Sequence, residues 1–340
     1  MLALFDNQRV RVALWSVLVV VAALVPVVAE RPYYVHLATI TLIWVVLAQG
    51  LNLIQGITGY ISLAQATFMG IGGYVSAIVA TQFDMPVSLS MLLGVLAAAL
   101  VGFLLSIPAL RTRGHYFAIT TMALSVVTSL IMRNWRGVTG GAEGFGGIPR
   151  PALTIGPLDL STREGYLYVA LLLAVLTTVF VARLRASRYG RALIAIRESE
   201  QLAWAVGINI LGFKRLAFTL SALLGGIAGA MFVHAINFIN PGPFHLARSL
   251  DAILAVIVGG SGTILGPVLG AVLVVFVPEY LRVADEFRLV TYGIMFIVIV
   301  MFLPRGLVGW LVHRIDEARA ERTEAQRRGD PQQPKEVTPT

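Results

Sequence analysis

Apolar and polar segments alternate along the chain, and ten of the apolar segments are candidates for membrane spans. Between residues 35 and 132 the only charged side chains are Asp84, Arg111 and Arg113. A bilayer core of about 30 Å is crossed by roughly 20 predominantly apolar helical residues. The spans are predicted at about Val12–Ala29, Val35–Ile54, Ile61–Ala80, Pro86–Pro108, Tyr116–Met132, Tyr166–Ala182, Leu216–Ile236, Leu250–Gly259, Ile264–Leu281 and Leu289–Leu303. The pattern predicts an all-α, polytopic membrane helix bundle of about ten transmembrane helices.

The most basic interior segment, residues 183–215, sets the predicted orientation. It holds seven Lys/Arg residues against two acids, Glu198 and Glu200. Short loops that are rich in Lys/Arg are retained in the cytoplasm. Counting spans from this loop places an external loop at residues 133–165 and both termini in the cytoplasm. The short segment Leu250–Gly259 either crosses the membrane or is re-entrant, and the basic C-terminal tail favours a crossing.

These positions divide the chain into a transmembrane domain, residues 1–312, and a polar cytoplasmic tail, residues 313–340. The end of the tail is rich in Pro and Gln, which predicts partial disorder. The first apolar segment, Val12–Ala29, is interpreted as a retained span rather than a cleaved signal peptide. Its 18 uncharged residues exceed the apolar core of about 7–15 residues in such peptides.

Composition and motifs exclude several classes of function. Only 13% of the 340 residues are charged, and the net charge of +8 comes mainly from loops and tails. That excess reflects membrane orientation rather than nucleic-acid binding. The chain has no cysteine and lacks the G-x-x-x-x-G-K-[ST], H-E-x-x-H and G-x-S-x-G motifs. No metal site or other cofactor is expected, and the chain has no nucleotide site of its own.

The predicted spans also hold almost no acidic residues, which ion-driven carriers usually need. The energy for uphill transport therefore has to come from a partner, and the chain fits a permease driven by a separate ATPase. The alternative is a facilitator, or an ABC permease, for urea or short amides. A facilitator of this kind would need no docking surface for an ATPase.

Two glycine-rich breaks, Gly56–Gly59 and Gly259–Gly262, interrupt the apolar pattern at or near membrane depth. Non-helical backbone at this depth has to be buried in protein or line a cavity, so both breaks are candidates for the transport path. The polar residues on or beside the first break are Asn52, Thr58, Ser62 and Gln65. Hydrogen bonding between helices explains each of these four side chains equally well.

Blocks of sequence between about residues 47 and 306 resemble a known family. They are Gly50–Tyr74, Arg113–Thr121, Thr139–Pro149, Ser187–Leu193 with Ala195–Glu200 and Gly207–Asn209, Gly259–Pro267, and Phe302–Gly306. In this order and spacing they resemble the M-type (LivM-type) permease of branched-chain amino acid ABC importers. The block Thr139–Pro149 resembles the outer loop that separates the M-type from the paired H-type permease.

The resemblance implies a type II importer fold in the bacterial inner membrane. It also implies four kinds of partner: a second, H-type permease, two cytoplasmic ATPase subunits, an extracytoplasmic solute-binding protein and an amino-acid substrate. Relatives of this class carry leucine, isoleucine and valine, and also other amino acids, urea or short amides. The solute therefore stays open at this point.

The resemblance further implies that Ser187–Gly207 is a coupling segment seated in a cleft of the ATPase. The residues expected to take part are Arg191, Arg197, Glu198, Glu200, Trp204 and Gly207. Glu198 or Glu200 takes the acidic place, and Gly207 the glycine, of the E-A-A…G signature of such permeases. Gln201 and Leu202 stand where two small residues are common, so the register in the ATPase is open. Contact of the basic residues with lipid phosphates is the alternative reading of this loop.

Overall fold

The computed structural model describes residues 32–112, 114–151, 154–155, 158–280, 293, 297, 301 and 306–310. Regular structure in these residues is almost entirely helical, in agreement with the predicted all-α class. The predicted span Val12–Ala29, the tail 313–340 and most of Leu289–Leu303 lie outside the described residues.

The helices are numbered here in chain order. They are α1 (Pro32–Asn52), α2 (Gln65–Gln82), α3 (Val87–Ala109), α4 (His115–Asn134), α5 (Arg136–Thr139), α6 (Arg163–Ala186), α7 (Arg188–Glu198), α8 (Glu200–Ala205), α9 (Ile210–Ile236), α10 (Leu246–Gly259) and α11 (Gly266–Tyr280). A π-helical turn, Leu53–Ile57, extends α1. Within the described residues, five helices are long and apolar enough to cross a membrane: extended α1, α3, α4, α6 and α9.

The centre of the bundle is built by α9, which packs against α1, α2 and α3. Small side chains allow these helices to approach closely. A β-carbon added to Gly226 on α9 would lie 2.6 Å from the β-carbon of Ala98 on α3. One added to Gly225 would lie 2.8 Å from the β-carbon of Phe68 on α2. Larger residues at these glycines would push the three helices apart.

The helix α2 begins inside the bundle rather than at its end. The amide nitrogen Nε2 of Gln65 donates to the carbonyl of Leu47 (3.2 Å), ten residues before the end of extended α1. At 1.5 Å per residue this is about 15 Å from that end. Residues 58–64, which precede α2, are not helical. The prediction of a continuous span from Ile61 was therefore wrong in its first turn.

The helix α10 also begins inside the bundle. The hydroxyl of Ser249, in its first turn, accepts from the backbone N–H of Ala66 (2.9 Å), in the first turn of α2. The 14 residues of α10 cover about 21 Å and end near the π-helical turn of α1, where Gly262 bonds to Asn52 (2.9 Å). The predicted segment Leu250–Gly259 is thus the later part of a slightly longer helix.

Two surfaces lie at opposite ends of α9, whose 27 residues span about 40 Å. We call residues 187–209, with the adjoining residues 53–60 and 260–263, the basic end. Residues 136–162, with 237–240, form the loop end. Its strands are β1 (Phe145–Gly146), paired antiparallel with β4 (Phe238–Ile239), and β2 (Thr154–Ile155), paired antiparallel with β3 (Leu158–Asp159).

Candidate functional site at the basic end

The basic end contains two short helices, α7 and α8, and a serine precedes each of them. The hydroxyl of Ser187 accepts from the backbone N–H of Gly190 (3.4 Å) at the start of α7. Ser199 has extended backbone, and its hydroxyl accepts from the N–H of Leu202 (3.3 Å) at the start of α8. Serine is a favoured N-cap residue because it satisfies an amide that lacks a helical partner. The predicted coupling segment Ser187–Gly207 thus contains two helices, which meet at Ser199.

The helix α8 ends in a turn that requires glycine. The N–H of Gly207 donates to the carbonyl of Trp204 (2.9 Å), and the N–H of Ile208 donates to that of Ala203 (3.0 Å). Gly207 has φ +82°, which is the left-handed conformation that closes a Schellman motif. The sequence signature glycine thus fixes the direction in which the chain leaves α8.

Apolar side chains of and after α8 project into solvent. Leu202, Trp204 and Val206 are 70%, 75% and 77% exposed. Beside them is an open groove of about 690 Å³ between α8 and the start of α9. Its lining residues are Leu110, Arg111, Glu200, Trp204, Gly207, Ile208, Asn209, Ile210, Leu211 and Lys214. Contiguous exposed apolar surface of this kind marks an interaction site.

Glu200, which also lines the groove, bonds inward to the bundle. Its Oε1 lies 2.8 Å from Nζ of Lys214 on α9, whose side chain is only 7% exposed. The hydroxyl of Tyr60 donates to the same carboxylate and accepts from Lys214. The Nζ atom also lies 4.2 Å from the centre of the Tyr60 ring. Glu200 therefore ties α8 both to α9 and to the non-helical segment that precedes α2.

An aromatic series continues from this polar contact into the core. The Tyr60 ring meets the edge of Phe117 on α4, with 5.3 Å between ring centres. Phe117 in turn contacts Phe218 on α9 (5.9 Å), and Phe218 contacts Phe68 on α2 (5.3 Å). Edge-to-face pairs at these separations stabilise the packing beyond the area that they bury. Displacement of Tyr60 would therefore disturb three helices.

Arg197 also reaches inward, to the π-helical turn of α1. Its Nη1 donates to the carbonyl of Gly56, one of the carbonyls that lack a partner at the C-terminal end of a helix. The stem of the side chain lies against Gly59, where an added β-carbon would be 3.0 Å from Cγ of Arg197. A β-carbon added to Gly262 would be 2.8 Å from Nη1. Arg197 thus touches both glycine-rich breaks.

Asn52 joins the two breaks directly. Its Nδ2 donates to the carbonyl of Thr263 (2.8 Å), and its Oδ1 accepts from the N–H of Gly262 (2.9 Å). A β-carbon on Gly56 would overlap Oδ1 of Asn52, so this contact needs glycine. Gln49, one turn earlier, donates from Nε2 to the carbonyl of Ile264 (2.8 Å).

The other three predicted path residues are buried and bonded within the chain. The hydroxyl of Thr58 donates to the carbonyl of Leu53 (2.9 Å), and that of Ser62 accepts from the N–H of Ala64 (3.4 Å). Oε1 of Gln65 accepts from the hydroxyl of Ser221 on α9 (3.0 Å). These bonds hold the breaks in place, and the lining of a path by these residues stays a prediction.

The remaining predicted coupling residues lie on the outer side of α7. Arg191 and Glu198 are exposed, and Nη1 of Arg191 donates to the carbonyl of Ala186 (2.9 Å). The sequence analysis missed Tyr60, Lys214 and Gln49. Lys214 had a signal, because it is the only lysine before residue 335. Tyr60 and Gln49 had none, since their partners are distant along the chain.

The loop end is held to α9 through neutral acceptors. Nη2 of Arg150 donates to the carbonyl of Ala235 (3.0 Å), and Nδ2 of Asn237 donates to that of Ile148 (2.7 Å). Partial burial, reinforced by nearby Arg163, lowers the pKa of Arg150 from its ordinary value. Hydrogen bonds from the backbone and hydroxyl of Ser161 lower the pKa of the exposed Asp159 carboxyl.

Together, these features define a class: a polytopic α-helical membrane protein with discontinuous helices and an exposed helical segment at one end. The family of branched-chain amino acid transport system permease components matches residues 33–303. The chain belongs to this family.

Individual relatives agree with this assignment. The chain is 32% identical over 325 residues to the high-affinity branched-chain amino acid transport system permease LivM of Salmonella typhimurium, covering 89% of this chain and 76% of the relative. It is 26% identical over 288 residues to the permease LivH of the same organism, covering 78% and 91%. A probable branched-chain amino acid permease LivM of Methanocaldococcus jannaschii is 24% identical over 237 residues, covering 64% and 68%. These matches give no support to the urea or amide alternative.

Proposed function

We propose that this chain is the M-type permease subunit of an ATP-driven importer for branched-chain amino acids. Membership of the permease family and the 32% identity to LivM support this assignment. The observation that carries the coupling role is the structure of residues 187–209. Leu202, Trp204 and Val206 are exposed, while Arg197 and Glu200 bind the bundle.

The proposed complex has a second, H-type permease, two cytoplasmic ATPase subunits and an extracytoplasmic solute-binding protein. The similarity to LivH supports a second permease of the same family. We place α7 and α8 in a cleft of one ATPase, with Trp204, Leu202 and Val206 as the apolar contacts and Arg191 and Glu198 on the outer side. Docking of Trp204 fits the general pattern in which large aromatic side chains dominate binding energy.

We also propose ten membrane-spanning helices in a bacterial inner membrane, a cytoplasmic loop at residues 183–215 and an external loop at residues 133–165. Residues 1–312 would form the permease domain and residues 313–340 the cytoplasmic tail. The separation of the basic end from the loop end along α9 supports opposite sides of the membrane for these loops. The positive-inside rule supports the cytoplasmic side for the basic end.

In this mechanism ATP-driven closure of the ATPases displaces α7 and α8. Arg197 passes the displacement to the π-helical turn at Gly56, and Glu200 passes it to Tyr60. Asn52 carries it on to Gly262, because its side chain bonds to that loop. Coupling between distant sites needs an element with two arrangements that both sites bias. The two breaks are the proposed element, and they line the path that alternates between the two sides.

The substrate assignment is tested with the assembled complex in membrane vesicles. We expect ATP-dependent uptake of radiolabelled leucine that excess isoleucine and valine inhibit and excess urea or acetamide does not. Inhibition by urea or acetamide alone would contradict the proposed substrate. The variant Trp204→Ala tests docking, and we expect less ATPase to co-purify with it. Unchanged co-purification and uptake would remove Trp204 from the docking surface.

A further inference from the structure

The helix α10 carries two charged side chains on neighbouring turns of one side. Nη1 of Arg248 lies 3.7 Å from Oδ2 of Asp251. The guanidinium of Arg248 also lies over the indole of Trp44, 5.4 Å from the ring centre. Between residues 216 and 278 the sequence has no other Asp, Glu, Lys or Arg. The pair is therefore isolated within a long apolar region.

The contact with Trp44 places this pair halfway along extended α1, which is long and apolar enough to cross a membrane. Trp44 is the thirteenth of the 26 residues of extended α1, Pro32–Ile57. Thirteen residues correspond to about 20 Å, so the pair lies about as far from one end of that helix as from the other. The neighbouring contact agrees with this depth, because Ser249 bonds to Ala66 next to Gln65, which reaches Leu47.

The residues that the structure describes leave both side chains of the pair partly accessible. The side chains of Arg248 and Asp251 are 36% and 29% exposed. Leu250, between them, is exposed, and Leu254, one turn further, is half-buried. Charged side chains at membrane depth face a bundle interior or a water-filled cavity, because contact with lipid is costly. The partly exposed pair is therefore expected to face the bundle interior or a water-filled cavity, where a ligand can reach it.

We propose that Arg248 and Asp251 bind the charged backbone groups of the transported amino acid. The guanidinium takes the α-carboxylate, since its planar set of donors fits a carboxylate in two-point contact. The Asp251 carboxylate accepts from the α-ammonium. This site rests on the proposed function, to which it adds the residues that hold the substrate at mid-membrane.

Two further features fit a zwitterionic ligand. The helix α10 begins inside the bundle, and its positive N-terminal end, next to Arg248, also favours a carboxylate. The Arg248–Asp251 distance exceeds the roughly 2.7–2.9 Å of a tight charge-assisted hydrogen bond. Both groups therefore retain bonding capacity for a ligand that carries one charge of each sign.

The test compares single and double neutral variants in the full complex, Arg248→Met, Asp251→Asn and Arg248→Met/Asp251→Asn. We expect each of the three to lower leucine uptake by about tenfold or more, the effect of losing one hydrogen bond to a charged group. The complex should assemble, and its basal ATP hydrolysis should persist. Ala247→Ser, a neutral change at the exposed neighbouring position, should transport like the parent.

The double variant distinguishes a role in substrate binding from a role in which the two charges only neutralise each other. If the two charges serve only to neutralise each other, removing both restores what either single change disrupts, and wild-type uptake by the double variant would overturn the proposal. If a neutral variant fails to assemble, Arg248→Lys is tested in its place, because this change keeps the charge and loses the planar donor set. Normal uptake by that variant would also count against the site. Absence of ATP-dependent leucine uptake by the parent complex would instead refute the proposed function.

Discussion

The two ends of α9 are built with different chemistry. At the loop end, Arg150, His234 and Asn237 bond to backbone carbonyls of neighbouring segments. At the basic end, Arg197 and Glu200 bond inward to breaks in two helices, while Trp204 remains exposed. The loop end fixes a loop in one position. The basic end connects an exposed surface to the π-helical turn at the end of α1 and to the non-helical segment before α2.

This difference shows which end is suited to transmit force. A contact transmits displacement when one side meets a partner and the other side is fastened to an element with freedom to change. Residues 187–209 meet both conditions, because they carry exposed apolar side chains and bond to the π-helical turn at Gly56 and to the non-helical segment at Tyr60. The loop end has β1–β4 pairing and satisfied carbonyls, which favour a single arrangement.

The largest effect is expected from a substitution that breaks the inward contact at the basic end. Arg197→Ala leaves the carbonyl of Gly56 without its donor and separates α7 from the π-helical turn. We expect uptake to fall about tenfold, a typical coupling factor, while the ATPases still assemble and hydrolyse ATP. The measurement is the number of ATP molecules hydrolysed per leucine transported.

Arg191→Ala is the matched change on the outer side of the same helix. This change affects only the proposed docking surface. The number of ATP molecules hydrolysed per leucine transported should therefore stay at the parent value in the complex that assembles. An equal ratio in the Arg197 and Arg191 variants would show that the inward contact has no separate role in coupling.

A second, smaller effect is expected at the loop end. His234 accepts at Nε2 from the hydroxyl of Ser76 (2.9 Å) and donates from Nδ1 to the carbonyl of Pro149 (2.6 Å). His234→Ala removes both bonds from a fully buried position, at a cost of about 1–3 kcal/mol for each group left unsatisfied. We expect a lower melting temperature and faster proteolysis within residues 140–162.

The coupling ratio of the His234→Ala complex should equal that of the parent, because the basic end is intact. Loss of coupling without loss of stability would contradict the division of roles between the two ends. His234→Asn, which keeps one donor and one acceptor, should restore part of the stability.

The sequence was sufficient to predict the features that depend on local composition. Apolar length predicted the bounds of α3, α4 and α6 to within a few residues, and it predicted the end of α9, which begins six residues before the predicted span. The Lys/Arg content drew attention to residues 183–215. Each of these signals is carried by neighbouring residues.

Contacts between distant segments could not be predicted in the same way. Glu200 and Tyr60 are 140 residues apart, and Asn52 and Gly262 are 210 apart. From the sequence alone, an acid such as Glu200, which bonds to Lys214, cannot be distinguished from one that faces only solvent. The early part of the Ile61–Ala80 segment is apolar but not helical. The side chain of Gln65, where the helix begins, bonds to the carbonyls of Leu47 and Ser221, which are distant along the chain.

The smallest effect is expected from the same substitution, glycine to alanine, made separately at each end of α9. Gly207 and Gly147 have φ values of +82° and +78°, and an added β-carbon would meet no atom within 4 Å at either site. Alanine therefore brings the same conformational cost of about 1–2 kcal/mol to each position without a clash. The loss of stability should be equal and small in the two variants, as measured by thermal unfolding of the purified complex.

The two variants should differ in transport. Gly207→Ala strains the Schellman turn that orients the end of α8, so the position of Trp204 in the ATPase should shift and uptake should fall by a few-fold, about the factor that 1 kcal/mol corresponds to. Gly147→Ala strains a segment of the loop end, which is remote from that contact, and uptake should stay within error of the parent. Equal uptake by both variants would mean that the orientation of α8 does not limit coupling. A larger loss in Gly147→Ala would mean that the loop end, too, takes part in transport.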